Sequence, residues 1–171
     1  IGNLVAQTAK GMGAKAVMAS DINAFRLEKA AECGIDYTVN PASDNLDEKL
    51  KSSFGEEKKA DVIFECTGVQ PGLEAAITNA RKGTDIVVVA VYGKAPTVDM
   101  ALVNEAELKL IGTARYNIDD FRTAIDLVNE GRVKLAPLVT DTFDFADYDA
   151  AYKKIDNSPE NTMKVMIKVN D

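Results

Sequence analysis

The sequence predicts a doubly wound α/β domain, in which helices cover both faces of a parallel sheet. Two observations favour this class: strand-like and helix-like segments alternate along the chain, and the strand-like segments are continuously apolar rather than alternately apolar and polar. Size agrees, because 171 residues with 46% hydrophobic and 27% charged residues suit one domain with a substantial core. We therefore expect residues 1–171 to form a single domain.

In the first half of the chain, apolar residues recur at helical spacing and then in short buried runs. Asn23 can cap the second helix, Ser43 or Asp44 can start the third, and glycines stop each of them. The predicted elements are a helix over Leu4–Ala14, a strand over Lys15–Ser20, a helix over Ala24–Cys33, a strand over Asp36–Asn40 and a helix over Leu46–Phe54.

The second half continues the alternation, with one mixed segment at Val98–Glu107. Its predicted strands are Ala60–Gly68, Thr84–Gly93, Leu108–Tyr116 and an edge or returning strand, Met163–Val169; its predicted helices are Leu73–Arg81, Ile118–Arg132 and Phe145–Asn157. The pattern starts on a helix, so we expect the strand that should precede it to lie upstream of Ile1. The domain is then truncated at its amino end and lacks its first strand.

Charge and hydropathy argue against two kinds of partner. The net charge is −7 and the 20 basic residues are scattered among acids, so we expect no nucleic-acid partner. The longest apolar run, Ile86–Val91, is far too short to span a bilayer, and the chain does not open on a signal peptide. We expect no membrane partner.

The titratable residues restrict the chemistry further. The chain has no histidine, which removes the commonest general base and the commonest zinc ligand. Its two cysteines, Cys33 and Cys66, can build neither a disulfide framework nor a cysteine-rich metal site. A reducing cytoplasm is the expected compartment.

Gly2 and Asp21 together indicate nucleotide binding. An acid about twenty residues beyond a glycine-rich strand-to-helix turn is the spacing with which dinucleotide-binding folds hold an adenosine ribose. Gly2 is then the last glycine of that turn, and Asp21 follows the second strand. The alternative is that Asp21 only caps the next helix. An acid here repels a 2′-phosphate, and Ile22 rather than a basic residue follows it, so NAD is preferred over NADP.

Several blocks, in order, resemble the coenzyme (Rossmann-type) domain of zinc-type medium-chain alcohol dehydrogenases. The resemblance covers Ile1 to about Val169, and the GTARY block most resembles the polyol branch of sorbitol and butanediol dehydrogenases. The blocks are ASDINAFRLEKAAECGIDYTVNP at residues 19–41, DVIFECTG at 61–68, TDIVVVAVYG at 84–93 and LKLIGTARYNIDDFRTAIDLV at 108–128.

The resemblance implies a role for each residue that matches the family pattern. At the adenosine and phosphate end, Asp21 binds the ribose, Ile22 flanks adenine, Arg26 covers the ribose or adenine, Gly2 closes the phosphate turn and Lys164 reaches the pyrophosphate. At the nicotinamide end, Ile1 packs on the ring, Cys66, Thr67 and Gly68 line the cleft, Val89, Ala90 and Val91 lie beside the amide, Thr113 and Ala114 offer it backbone groups, and Arg115 points at the polyol pocket.

Some of these residues have ordinary alternatives. Cys66 can be an inert buried thiol, and Val89 and Val91 are strand core in any fold. Arg115 can be a solvated surface arginine, and Lys164 fits a plain amphipathic strand equally well.

The resemblance also implies what this chain does not supply. In the family a catalytic zinc, held by cysteine, histidine and acidic ligands, polarises the substrate oxygen while a hydride passes to NAD. None of those ligands is found here, so we expect the zinc and the catalytic residues to belong to a preceding catalytic domain outside this chain. The parent enzyme then oxidises a small alcohol or polyol as a homodimer or homotetramer, and this fragment alone is inactive.

Two other functions stay open at this point. One is a stand-alone dinucleotide-binding regulatory module that performs no chemistry. The other is a domain of the zinc-free quinone reductase branch, which commonly uses NADPH and against which Asp21 weighs.

Overall fold

The structure, a computed structural model, describes residues 1–56 and 59–170. Its helices are α1 (Gly2–Gly11), α2 (Ala24–Glu32), α3 (Leu46–Phe54), α4 (Gln70–Asn79), α5 (Met100–Glu105), α6 (Ile118–Asn129) and α7 (Tyr148–Asn157). Its strands are β1 (Met18–Ser20), β2 (Tyr37–Val39), β3 (Val62–Glu65), β4 (Asp85–Val88), β5 (Lys109–Gly112), β6 (Val139–Asp144) and β7 (Lys164–Lys168). Short 3₁₀ turns occupy Ala136–Leu138, Phe145–Asp147 and Pro159–Asn161.

Within the described residues the strands form three hydrogen-bonded sheets, ordered β1-β2, β3-β4-β5 and β6-β7. Every pairing is parallel, which confirms the predicted parallel α/β class. The strands that pair within the first two sheets are joined by α2, α4 and α5, as βαβ connections require. In the part of the chain that is described, no strand precedes α1.

The chain divides into two compact units. The first unit comprises Ile1–Val5 and Ser43–Phe121, and the second comprises Ala6–Ala42 and Arg122–Asp171. Each unit has its own apolar cluster.

In the first unit, α4 and α5 pack against the central strand β4, whose Ile86 is fully buried. The buried residues of this cluster are Leu73, Ala76, Ile77, Ile86, Val103 and Leu108. Burial of each Leu, Ile or Val side chain in this cluster contributes about 1.5–3 kcal/mol to the free energy of folding. The cluster therefore stabilises the sheet whose strand ends form the candidate site.

In the second unit, Ala6, Ala30 and Ile35 form the buried cluster, with Val17 and Ala19 packed beside them. The buried side chain of Gln7 satisfies both of its polar ends on the backbone of Lys134, donating to the carbonyl oxygen at 3.1 Å and accepting from the amide at 2.7 Å. This pairing makes a buried amide compatible with the core.

Some predicted boundaries are wrong, and local hydrogen bonds explain several of them. The third helix is started by Asn45, whose side chain accepts from the Glu48 amide, and not by Ser43 or Asp44. The mixed segment contains α5, which Asp99 caps through the Ala101 amide. Strand β6 was not predicted, because its sequence VTDTFD carries two acids; it pairs with β7, which the sequence did predict.

Among the described residues, no helix is both long and apolar enough to cross a membrane.

Candidate functional site

The carboxyl ends of three parallel strands meet at one edge of the first unit's sheet. The register pairs Glu65 of β3 with Val88 of β4, and Val88 with Gly112 of β5. The segments that leave these strands therefore start from a common edge, which is where open α/β sheets bind ligands.

Glu65, the last residue of β3, binds the turn that follows it. Its side chain is buried, with 3% of the residue exposed. Oε1 accepts from the Thr67 amide at 2.7 Å, from the Gly68 amide at 3.3 Å and from the Thr67 hydroxyl. These bonds fold residues 66–68 back over the strand end.

Glu65 also binds the segment that leaves the neighbouring strand. Oε2 accepts from the Tyr92 hydroxyl at 2.6 Å. The carbonyl oxygen of Glu65 accepts from the amides of Val89 and Ala90, at 2.9 and 3.1 Å. One residue therefore joins the turn after β3 to the segment after β4, by side chain and by backbone.

The two segments approach each other closely at Gly68. Its φ is +69°, in the left-handed region, and a β-carbon there would lie 2.7 Å from the carbonyl oxygen of Val91. Gly72 in the first turn of α4 is equally confined, since a β-carbon would lie 2.0 Å from the Thr67 hydroxyl oxygen. At Gly68 only glycine fits without movement of the backbone, whereas at Gly72 a larger residue would require the Thr67 and Glu65 side chains to move.

The electrostatics of the Glu65–Tyr92 pair follow from this geometry. Burial by itself raises the pKa of the Glu65 carboxyl, but the hydrogen bonds from Thr67, Tyr92 and Gly68 outweigh it and lower the pKa. Burial, the hydrogen bond to Glu65 and the charge of Glu65 all raise the pKa of Tyr92. The pair is thus an ionised carboxylate that accepts from a neutral phenol.

The structure places several sequence-predicted residues on or beside this edge. Gly2 lies next to Cys66, since a β-carbon on Gly2 would be 3.5 Å from the Cys66 β-carbon. Burial first, and then the charge of Glu65, raise the pKa of the Cys66 thiol, which suits an unreactive thiol. Thr67 and Val91 are exposed and Gly68 is half-buried, while Ile1 is exposed.

The segment after β5 is exposed throughout. The Thr113 amide donates to the carbonyl oxygen of Val88 at 3.2 Å, extending the ladder by one bond. Ala114 and Arg115 are exposed, and Arg115 adopts a φ of +68°. The predicted strand over Leu108–Tyr116 was too long, because regular pairing ends at Gly112.

In the second unit, Asp21 directly follows β1. Its Oδ1 accepts from the Asn23 amide at 2.9 Å, and its Oδ2 lies 3.8 Å from Nη1 of Arg26. The cap of α2 is Asn23, whose side chain accepts from the Arg26 amide. The helix-cap alternative for Asp21 is therefore wrong.

The other predicted residues of the second unit are on its surface. Ile22 is exposed beside Asp21, and its carbonyl oxygen accepts from the Asn40 side chain at 3.3 Å. Lys164 opens β7, where it pairs with Val139 and is exposed. Asp21, Ile22 and Arg26 lie within one short stretch, and Lys164 comes from another element of the unit.

The described residues do not fit a zinc ion. Across residues 1–56 and 59–170, no three His, Cys, Asp or Glu side chains are grouped so that they could hold a metal. The sequence has no histidine, and its two cysteines, Cys33 and Cys66, are not joined in a disulfide. No step of chemistry is assigned to a metal held by this chain.

Sequence reasoning missed Glu65 and Tyr92. The sequence did contain a signal for Glu65, which is an acid at the end of the apolar strand VIFE. Such an acid either is buried with hydrogen-bond partners or lies in solvent where the strand ends. Tyr92 gave no signal, because its partner lies 27 residues away.

Comparison with known proteins agrees with this architecture. Residues 1–130 match the family described as zinc-binding dehydrogenase. A 2-dehydro-3-deoxy-L-galactonate 5-dehydrogenase of Pseudoalteromonas atlantica is 35% identical over 170 residues, 99% of this chain and 49% of that protein. Sorbitol dehydrogenase 1 of Saccharomyces cerevisiae is 32% identical over 157 residues, 89% of this chain and 44% of that protein.

A solved structure is also similar. A short chain alcohol dehydrogenase from Escherichia coli CFT073, complexed with NADH, superposes with a TM-score of 0.81 at 28% identity, over 96% of this chain and 48% of that one. This chain thus spans about half the length of the relatives it matches. The family match covers most of the sequence and confirms the resemblance to zinc-type polyol dehydrogenases: the chain belongs to the zinc-binding dehydrogenase family.

Proposed function

We propose that this chain binds NAD(H) and is the coenzyme-binding part of a zinc-dependent dehydrogenase. The reaction is hydride transfer between NAD and a secondary alcohol or polyol. The observation that carries the proposal is the similarity, over nearly the whole chain, to dehydrogenases of sorbitol and of a sugar acid. A regulatory module without catalysis is not favoured, since these relatives are dehydrogenases.

Asp21 is proposed to bind the adenosine end of the cofactor. A carboxylate accepts hydrogen bonds from both hydroxyls of a ribose, and within residues 1–56 and 59–170 the Asp21 Oδ2 atom has one charged neighbour, the guanidinium of Arg26 at 3.8 Å. Ile22 offers an exposed apolar side chain for adenine, and Arg26 flanks the ribose. Lys164 is proposed to meet the pyrophosphate as a cation.

The segments that follow β3, β4 and β5 are proposed to bind the nicotinamide end of the cofactor. Three segments follow the strand ends at the sheet edge: Cys66, Thr67 and Gly68 after β3, Val89, Ala90 and Val91 after β4, and Thr113 and Ala114 after β5. These segments are proposed to orient the ring with backbone groups and apolar side chains, with Ile1 against the ring and Gly2 at the phosphate turn. Arg115, exposed beyond β5, is proposed to reach the substrate.

NAD is proposed as the cofactor in preference to NADP. A 2′-phosphate on the ribose brings negative charge toward the Asp21 carboxylate, and two like charges at about 4 Å repel by roughly 1–4 kcal/mol. Arg26 offsets part of this, but its side chain is solvated and its nearest nitrogen lies 3.8 Å from the carboxylate.

The zinc belongs outside the described residues in this proposal. The family name calls for zinc, whereas no group of ligands for it lies within residues 1–56 and 59–170. Bound NAD supplies the hydride acceptor; this chain's own residues bind and orient it. The polar substrate is proposed to be held largely by the zinc-bearing part of the parent enzyme.

Assembly and compartment complete the proposal. Strand β5 is an edge strand in its sheet, with Leu110 and Ile111 partly exposed, which supports association of two parent chains into a homodimer or a homotetramer. Cys33 and Cys66 form no disulfide, which supports a reducing cytoplasm. A net charge of −7 supports a small-molecule substrate rather than nucleic acid.

Titration of the 171-residue chain with NADH and NADPH, followed by nicotinamide fluorescence, tests the proposal. We expect saturable binding of NADH and weaker binding of NADPH. Equal affinity for the two cofactors contradicts the role of Asp21, and the lack of any binding contradicts the proposed function.

A further inference from the structure

We propose that Glu65 and Tyr92 are positioning residues for the nicotinamide end of the cofactor, which they serve by holding residues 66–68 and 89–91 in fixed register. We call the pair the carboxylate clamp. The inference rests on the proposed function, because it assumes that these two segments contact the cofactor.

One carboxylate binds both segments. Oε1 accepts from the Thr67 amide and hydroxyl, Oε2 accepts from the Tyr92 hydroxyl at 2.6 Å, and the Gly68 amide lies within 3.4 Å of both oxygens. Because a carboxylate is rigid and planar, a shift of Tyr92 is transmitted to the turn that carries Thr67. The backbone bonds from Val89 and Ala90 to the Glu65 carbonyl fix the start of the second segment but not its far end at Tyr92.

The clamp is buried behind residues that are exposed. Glu65 is buried and Tyr92 half-buried, whereas Thr67 and Val91 face solvent. Gly68 lies between them, in such close approach to the Val91 carbonyl that a small displacement of either segment alters the surface. Buried hydrogen-bonding residues of this kind fix the position of the exposed residues that contact a ligand.

A purely structural role explains the clamp less well. Burying a carboxylate is unfavourable unless it is fully hydrogen-bonded, and an apolar residue ending β3 would pack into the same space without that requirement. The carboxylate does what an apolar residue cannot: it sets two neighbouring segments by directional bonds.

The test compares NADH with ADP-ribose, which has the adenosine and both phosphates but no nicotinamide. The variants are Glu65→Gln and Tyr92→Phe in the 171-residue chain. We expect each to raise the Kd for NADH by about fivefold to tenfold, the effect of losing one charge-assisted hydrogen bond, while the Kd for ADP-ribose stays within about twofold. The Kd of the double variant for NADH is expected to lie within about twofold of that of the weaker-binding single variant, because both changes act on the same Glu65–Tyr92 interaction.

Glu105→Gln and Tyr116→Phe are the matched controls. Both positions are exposed in the same unit, and the changes remove one charge or one hydroxyl as in the clamp variants. We expect neither to change the affinity for either ligand. The NADH emission maximum is recorded in every titration, and only the clamp variants are expected to shift it toward that of free NADH.

The outcomes separate the two proposals. If the wild-type chain binds neither ligand, the proposed function fails and the clamp's role fails with it. If the wild-type chain binds both and the clamp variants weaken both equally, or neither, the clamp is only structural and this inference is overturned alone. Tyr92→Phe keeps the ring, so it remains informative where Glu65→Gln does not fold.

Discussion

A β-carbon on Gly68 would lie 2.7 Å from the carbonyl oxygen of Val91. Gly68 also has a φ of +69°. Both constraints act on Gly68→Ala, so we expect it to lower the free energy of unfolding by more than the roughly 1 kcal/mol that left-handed strain alone produces. Urea unfolding measures this.

Gly83→Ala is the control for that change. Gly83 has a φ of +80°, but nothing lies within 4 Å of a β-carbon there. It therefore reports the left-handed strain without the clash. An equal loss of stability in the two variants contradicts the close approach of the segments after β3 and β4.

Asp21→Ala tests the choice of cofactor. Removing the carboxylate deletes an acceptor for the ribose and the repulsion of a 2′-phosphate, so we expect weaker NADH binding and a ratio of NADPH to NADH affinity raised by about tenfold. Asn23→Ala is the control: it removes the α2 cap and lowers stability by about 1 kcal/mol without changing the ratio. Unchanged NADH affinity in Asp21→Ala argues against its contact with the ribose.

The pH dependence of stability reports on Glu65. Its folded-state pKa is lowered below the ordinary 4.5, so its contribution is fully present above pH 4.5 and is lost as the pH falls through the lower, folded-state value. We expect the free energy of unfolding to fall less steeply below pH 4.5 in Glu65→Gln than in the wild type or in Glu105→Gln. Parallel curves for all three proteins speak against a buried, ionised Glu65.

The chain alone is expected not to reduce NAD with sorbitol, butanediol or ethanol, even with added zinc. The physical reason is that its described residues hold no group of metal ligands and the sequence has no histidine. The assay follows NADH absorbance over time. Turnover above the background without protein refutes the assignment of the zinc ligands to another part of the parent enzyme.

Much of the fold is predictable from periodicity, because apolar strands and amphipathic helices follow from local pattern. The strand VIFE and the cap at Asn23 are examples. Strand β6 was missed since its stability comes from pairing with β7, a partner 20 residues beyond its last residue, Asp144. Non-local pairing of this kind leaves little trace in a single segment.

The candidate site also has a part that local sequence patterns predict and a part that they do not. The spacing of glycine and acid predicted Gly2 and Asp21 as cofactor-binding residues, and the block resemblance predicted the segments after the strands. The Glu65–Tyr92 hydrogen bond could not be predicted, because it depends on the register of β3 against β4 and on the direction of two side chains. Cys66 was easier to interpret from sequence. A free cysteine is usually an inert buried thiol, and the burial and raised pKa of Cys66 favour that interpretation.

A crystal structure of the chain with bound NADH tests the central claim most directly. We expect the carboxylate of Asp21 to accept hydrogen bonds from the adenosine ribose hydroxyls, at about 2.7 Å. A nucleotide bound elsewhere, with Asp21 contacting only Asn23 and Arg26, would contradict it.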